Sequence, residues 1–503
     1  MGHPTGWQTA RELPLGLAIA FCLGMRVVFH HLYGLSFDPS VIWWQMLDTE
    51  LLRTAPLQSI YLMHMQPPLL NLLYAAALAL PGETGFLMLQ ILFVGASLGL
   101  VGMLYALLRR VGARPYSAGT AAALFGVLPQ VLLYENIYFY SHLEAVLVLA
   151  AALFASGYFE RRRLGSFIAF AACLVALGLL RSLFHLGWIV VVLAVACALA
   201  SRHPGWDRRV VLVSVLASLL VGSLYLKNLE EFGIFSASSW DGISLMSMTL
   251  PTRGRDVLKF SQVIEDVRQG VDRGEFSPAT KAALDGPDLW TAWVQFAKPC
   301  AESHEQRPVL CAITRSNGEP NLNHVAVIGY SRSLGRDALH LLRLHPRVYV
   351  DHVGSSVFTF LGTPSWDYRL MRFALESYTD LWNTLLLYEP TDSFRGTGRA
   401  SGTWWDSVRN RLEASSLPLV IVVAAGSIFI VLAGARDAVG YWRRTRPTAD
   451  WVVPMLVILL FVSVPNLING VEAQRIRYSV EPLIYLGFIV CSMHLLRRRM
   501  RTA

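Results

Sequence analysis

Apolar runs of about 20 residues recur along this chain, and a helix of that length crosses ~30 Å of hydrocarbon. The first runs from Leu13 to Tyr33. Its leading charges are the mixed pair Arg11 and Glu12, and no small-x-small cleavage site follows. It therefore reads as a membrane helix, not a cleavable signal. Further candidates are Gly85–Leu108, Tyr116–Tyr134, His142–Phe159, Ser166–Leu180, Leu186–Ala200, Val210–Leu226, Leu417–Leu432, Val452–Val464 and Leu483–Leu496. The composition agrees: only 16% of the 503 residues are charged, where a soluble chain carries roughly 25%. Mean hydropathy is +0.44. The expected class is an all-α polytopic membrane protein. Its net charge of +8 is then no sign of a nucleic-acid partner; what matters is where the charge sits.

The basic connections are RRVGARP at Arg109, ERRRLG at Glu160, SRHPGWDRR at Ser201, ARDAVGYWRRTR at Ala435 and RRRMR at Arg497. Cytoplasmic loops collect Lys and Arg. All five fall on one side under a single count: the first helix leads out, Gly85–Leu108 returns, and strict alternation follows. That predicts about ten spans, a cytoplasmic C-terminus, and an extracytoplasmic segment from Lys227 to about Ser416. The count requires that Pro67–Leu80 does not cross. Its apolar run after Pro68 is about 13 residues, shorter than a span needs, and Pro67-Pro68 suits a helix start. An interfacial or re-entrant helix on the outer side is expected there. The chain thus divides into an N-terminal membrane module (1–227) with a first outer loop (34–83), a mixed extracytoplasmic domain (228–416) between the seventh and eighth spans, and C-terminal membrane helices (417–503). Within the domain, Val348–Leu361 is interrupted by Asp351 and His352 and reads as an amphipathic or buried helix.

Six cysteines are present. Cys22, Cys173, Cys197 and Cys491 lie in apolar runs and read as packing residues. Cys300 and Cys311 lie in the polar region, where an extracytoplasmic compartment permits a disulfide. No CxxC pair suggests zinc.

Ionisable groups beside a membrane cavity are functional candidates, and they gather on the outer side. In the first outer loop, Asp38 suits a general base beside a water-poor cleft. Asp38-Pro39 equally suits a helix N-cap. Asp48 is likewise a base candidate, with a plain surface charge as its other reading. His64 and Gln66 precede Pro67 and are placed to hydrogen-bond a ligand, or to serve the structure. The second outer turn carries Glu135, Asn136, His142 and Glu144. The His142-x-Glu144 spacing does not put two ligands on one helical face, so a metal site is not indicated. Arg181 stands at an outer helix end, where it either snorkels or clamps a phosphate. Glu472, Arg475, Arg477 and Glu481 crowd the last outer turn, and the arginines suit an anion or internal pairing. Lys227 at the head of the domain is a further phosphate contact.

Taken in order, Asp38 with WWQMLD, HMQPPLLNLL, LYEN, RSLFHLGW, KNLEEFG…SSW and EAQRIRYSVEP resemble the GT-C superfamily of membrane glycosyltransferases. The likeness is to the protein-mannosyltransferase-like and aminoarabinose-transferase-like branch. It spans about residues 13–240 and 450–496. The resemblance implies a GT-C fold and a donor sugar carried on polyprenyl phosphate. It implies an Asp of the first outer loop as base, inversion at the anomeric carbon, and arginines stabilising the leaving phosphate. Asp38 or Asp48 would be the base. Arg475, Arg477, Arg181 and Lys227 would hold the phosphate. Glu135, Asn136, His142, Glu144, His64, Gln66 and Glu472 would serve the acceptor or support the site. The family often has Asp-Glu where this chain has Asp38-Pro39, which keeps Asp48 in contention. No cofactor is firmly implied; a divalent metal stays open, though no compelling residue cluster supports one. The acceptor is a glycan, a lipid or a protein, and membrane lipids are partners. Usage of 39 Arg against 4 Lys suits a GC-rich bacterial genome, hence a bacterial inner membrane with the site facing the periplasm or exterior. The competing class is a transporter or flippase for a lipid-linked solute. Transporters often show internal repeats and midplane sites; this chain shows no obvious repeat, and its polar clusters lie at one face.

Overall fold

The computed structural model describes residues 6–34, 36–38, 45–201, 207–250, 259–286, 288–297, 307–361, 422, 424–429, 432 and 473–502. Among them every regular element is a helix, and strand-like pairing is confined to two isolated bridges. The first half holds α1 (Gly6–Tyr33), α2 (Thr49–Thr54), α3 (Pro56–Tyr61), α4 (Leu69–Leu78), α5 (Thr84–Arg110), α6 (Pro115–Gly126), α7 (Pro129–Glu135), α8 (Tyr140–Arg161), α9 (Leu164–Leu180), α10 (Leu186–Ser201) and α11 (Arg209–Phe232). Then come α12 (Asp241–Thr249), α13 (Ser261–Asp272), α14 (Pro278–Asp285), α15 (Pro308–Cys311), α16 (Ala326–Leu344), α17 (Pro346–Leu361) and α18 (Ala473–Thr502). Five of the described helices are long and apolar enough to cross a membrane: Leu13–Leu32 in α1, α5, α8, α11, and Ile476–Met493 in α18. The apolar α9 and α10 are shorter. This is a helical membrane protein. The expected span Val452–Val464 lies outside the described residues, and Leu417–Leu432 is described only at 422, 424–429 and 432, where it is helical.

The two ends of the bundle differ in charge. Arg110 at the end of α5 donates from Nη1 to Leu153 O (2.8 Å) and Ser156 Oγ (3.0 Å) of α8, and its Nε lies 3.8 Å from Glu160. The Arg109 and Glu160 clusters therefore share one end. The first half of α1 is there too, because a Cβ on Gly119 of α6 would lie 2.7 Å from Pro14 O. At the other end Arg26 of α1 reaches Glu135. So α1 and α6 run the same way, α5 returns, and residues 34–83 begin and finish at the end away from the arginine clusters.

Helix α4 occupies that far end. Ten residues extend only ~15 Å, about half a bilayer core. Pro68 is its N-cap residue, so the helix starts where the proline pair predicts. Asn71 accepts from Leu47 N (2.8 Å) and donates to Gln45 O (3.0 Å), while Tyr138 OH donates to Leu70 O (2.7 Å). These bonds tie α4 to the loop before it and to the turn before α8.

Two expectations change. The predicted span Tyr116–Tyr134 is two helices, α6 and α7. Pro129 opens α7 and holds Leu128 extended (φ −64°, ψ 146°), because the residue before proline avoids the helical region. The predicted outer turn around Arg475–Glu481 is instead the opening of α18, which runs unbroken through Pro482. The domain after α11 is helical in its described part. There Ser331 Oγ of α16 accepts from Gly242 N (3.1 Å) and Ile243 N (3.3 Å), satisfying the first donors of α12. The Val348–Leu361 stretch forms α17, as the sequence predicts. Cys22, Cys173, Cys197 and Cys491 are free thiols. Cys311 is disulfide-bonded, and Cys300 lies outside the described residues.

Gly82 takes a left-handed conformation (φ +56°) in the turn that brings α5 against α4. A Cβ on Gly85 would lie 1.9 Å from Ala77 O, whereas one on Gly95 meets nothing within 4 Å. A helical Gly→Ala change ordinarily gains up to ~1 kcal/mol. Gly85→Ala is expected to lose ~1–3 kcal/mol through forced backbone movement, and Gly95→Ala to be neutral or stabilising. Thermal midpoints in detergent measure both.

Candidate functional site at the far end of the bundle

The first outer loop is joined to the second outer turn by main chain. Asp38 N donates to Asn136 O at 3.0 Å, and Asp38 forms a parallel bridge with Ile137. Phe37 packs edge-on against Phe93 of α5 (5.5 Å). Asp38 is thus held half-buried where α7 ends and α8 is about to begin. Asn136 is the C-cap residue of α7 and donates from Nδ2 to Leu132 O (2.8 Å). The residues following Asp38, from Pro39 to Trp44, lie outside the described residues.

Beneath this bridge lies a buried polar layer. Arg26 places Nε 2.9 Å from both Glu135 oxygens and Nη2 2.5 Å from Oε2. Glu144 is fully buried and accepts from Arg181 Nη1 (3.2–3.3 Å) and from Ser479 Oγ (2.5 Å). Arg181 also stacks over the Tyr140 ring (4.6 Å). Arg477 is fully buried too; it donates from Nη1 to Phe360 O (2.6 Å), with Nη2 3.9 Å from Glu481. Gln130 Nε2 donates to Glu481 Oε1 (3.1 Å). His142 meets Tyr478 OH through Nδ1 (2.9 Å) and Ser97 Oγ through Nε2 (3.0 Å). His142 and Glu144 therefore engage different neighbours.

The stretch Leu62–Gln66 is gripped from several sides. Asn323 Oδ1 accepts from His64 N (2.8 Å) and Met65 N (3.2 Å), and Asn323 Nδ2 donates to Leu62 O (3.2 Å). Ser238 Oγ donates to Met65 O (2.6 Å), and Ser239 N donates to His64 O (2.8 Å). The fully buried His64 ring meets Ser239 Oγ through Nδ1 (2.9 Å). Gln66 Oε1 accepts from Ser182 Oγ (3.0 Å), next to Arg181. Lys227 donates from Nζ to Met63 O (2.6 Å). His64 and Gln66 are thus anchors of the loop in this structure.

Asp48 is a cap. Its carboxylate accepts from Glu50 N (2.8 Å), opening α2, and from Ser316 N and Ser316 Oγ (3.0 Å) of the domain. The helix that Asp38 would cap falls on residues 39–44, outside the described residues. Glu472 and the Arg475 side chain lie outside the described residues. Arg26, Gln130, Tyr478, Ser479, Ser239 and Asn323 belong to the network although the sequence reading did not single them out. Arg26 had a signal: it is an arginine inside the first apolar run. The others are ordinary polar residues until the fold pairs them.

No protein-family model, curated protein or solved structure matches the chain significantly. Among the described residues no group of three His, Cys, Asp or Glu gathers that could hold a metal ion.

Burial pushes the His64 imidazole down from 6.5 to about 3, helped by the nearby Lys227 charge. Between those values the unfolded chain binds a proton that the folded chain excludes, so stability falls as pH drops below about 6.5. The expected slope is ~1.4 kcal/mol per pH unit. His64→Asn removes that component; midpoints at pH 7 and pH 5 should differ less in the variant than in wild type.

Proposed function

We propose that this protein is an inverting glycosyltransferase of the GT-C type. It transfers a sugar from a polyprenyl-phosphate donor at the extracytoplasmic face of a bacterial inner membrane. The observation that carries the reading is the position of Asp38. Its backbone is bonded to Asn136 at the rim of a polar layer drawn from α1, α7, α8, the end of α9 and α18. The arginine clusters lie at the opposite end of the bundle, which supports a cytoplasmic assignment for that end. Under the same count the full chain has about ten spans, and residues 228–416 face the exterior.

In this reading the Asp38 carboxylate takes the proton from the acceptor hydroxyl. The hydroxyl oxygen attacks the anomeric carbon from the face opposite the phosphate, and polyprenyl phosphate leaves. Asp48 is committed to its cap and to Ser316, which counts against Asp48 as base. Lys227 is half-buried and its ammonium carries three donors, which suits it to touch the leaving phosphate. Arg181 and Arg477, engaged with Glu144 and with Phe360 O, add positive potential from behind. The short α4 and its proline pair make one wall of the lipid-side groove.

A transfer assay in liposomes with polyprenyl-phosphate sugars tests this. Asp38→Asn is expected to lower kcat by about 10²–10⁴. Asp48→Ala is expected to keep kcat within a few-fold while losing ~0.5–2 kcal/mol of stability. Wild-type turnover in Asp38→Asn would remove the base assignment. Lipid movement across vesicles with no transfer from any donor would favour the flippase reading.

A further inference from the structure

We propose that Arg26 is a positioning residue for Asp38 and that it acts through Glu135. The inference rests on the reading of Asp38 as general base. It gives Glu135 a role in setting geometry, in place of acceptor contact.

Asp38 N and Asn136 O make the bond that locates the loop. Its strength depends on what holds Asn136. Helix α7 has seven residues, too few to be stable alone. Its last residue, Glu135, is held instead by the Arg26 fork, with Nε at 2.9 Å from each oxygen and Nη2 at 2.5 Å from Oε2. The same guanidinium donates from Nη1 to Cys22 O (2.9 Å) and from Nη2 to Gly126 O (3.3 Å). One side chain thus binds α1 to the last residue of α6 and to the end of α7.

The chain then closes on itself. From Arg26 it runs along α1 into the loop and reaches Asp38. Asp38 bonds Asn136, the neighbour of Glu135, and Glu135 bonds Arg26. A closed ring with a charge-assisted, bidentate link fixes its members more tightly than a single backbone bond. The pair is 10% and 3% exposed, so water and salt screen it little. Loosening the link would shift the Asn136 main chain to which Asp38 N is bonded, and a misplacement of ~1 Å costs about 10²-fold in rate.

Arg26→Lys keeps the charge and removes the fork; Glu135→Gln keeps an acceptor oxygen and removes the charge. Both are expected to lower kcat by about 10–100-fold, with donor and acceptor KM within about three-fold of wild type. In the Asp38→Asn background neither should lower the rate further, because the pair works through that carboxylate. A kcat within two-fold of wild type in both single variants overturns the proposal. So does a double variant whose losses multiply, or a loss of rate matched by loss of folded protein on size exclusion. Wild-type turnover in Asp38→Asn alone would instead remove the base assignment, and the positioning role with it, while leaving the transfer reading standing.

Discussion

A charge buried between apolar helices is tolerable only with a partner at hydrogen-bond distance. In a transmembrane setting an unpaired one costs at least ~2.5–3.5 kcal/mol. This requirement organises the far end of the bundle. Arg26 with Glu135 joins α1 to α7, and Arg181 with Glu144 joins the end of α9 to α8. Ser479 ties α18 to Glu144, and Gln130 ties α7 to Glu481 of α18. The result is one polar web across five helices. Helices packed by apolar contact alone can slide and rotate at small cost; these cannot without exposing a charge.

The sequence displayed the coarse fold well, because hydropathy and arginine placement are properties of the chain itself. They predicted the membrane class and a short helix opening at the proline pair. They also predicted α17 and packing roles for the apolar-run cysteines, of which Cys22 and Cys173 are buried and Cys197 and Cys491 half-buried. They missed the break at Pro129, where a continuous apolar run concealed two helices. They also placed Arg477 and Glu481 in an outer turn, whereas both are buried in α18, where they lie 3.9 Å apart as the internal-pairing reading expects. Charge density alone does not distinguish a solvated turn from a buried pair, since the partners Phe360 and Gln130 lie far away in sequence.

The same blindness applies to the candidate site. Asp38 and Asp48 are alike as residues, each in one loop and each fit to cap a helix. Asp48 caps α2 through Glu50 N, and Ser316, 268 positions along the chain, adds a second claim on its carboxylate that the sequence does not show. His64 and Gln66 stood out for their chemistry, yet their described contacts are with the protein itself. The arginine that anchors the turn beside Asp38 sat in an apolar run, where it looked like an intruder.

The grip on Leu62–Gln66 has a consequence for biogenesis. Asn323 bonds the main chain of a segment 259 residues upstream, and Ser479 completes Glu144 from 335 residues downstream. The early helices can insert while the ribosome is still working, but their polar ends await chain not yet made. Contacts so distant in sequence form late. A nascent chain released before α18 would carry most of the membrane helices but leave Glu144 without its Ser479 bond. The far end would therefore be a signature of completed synthesis, assembled last from parts laid down first.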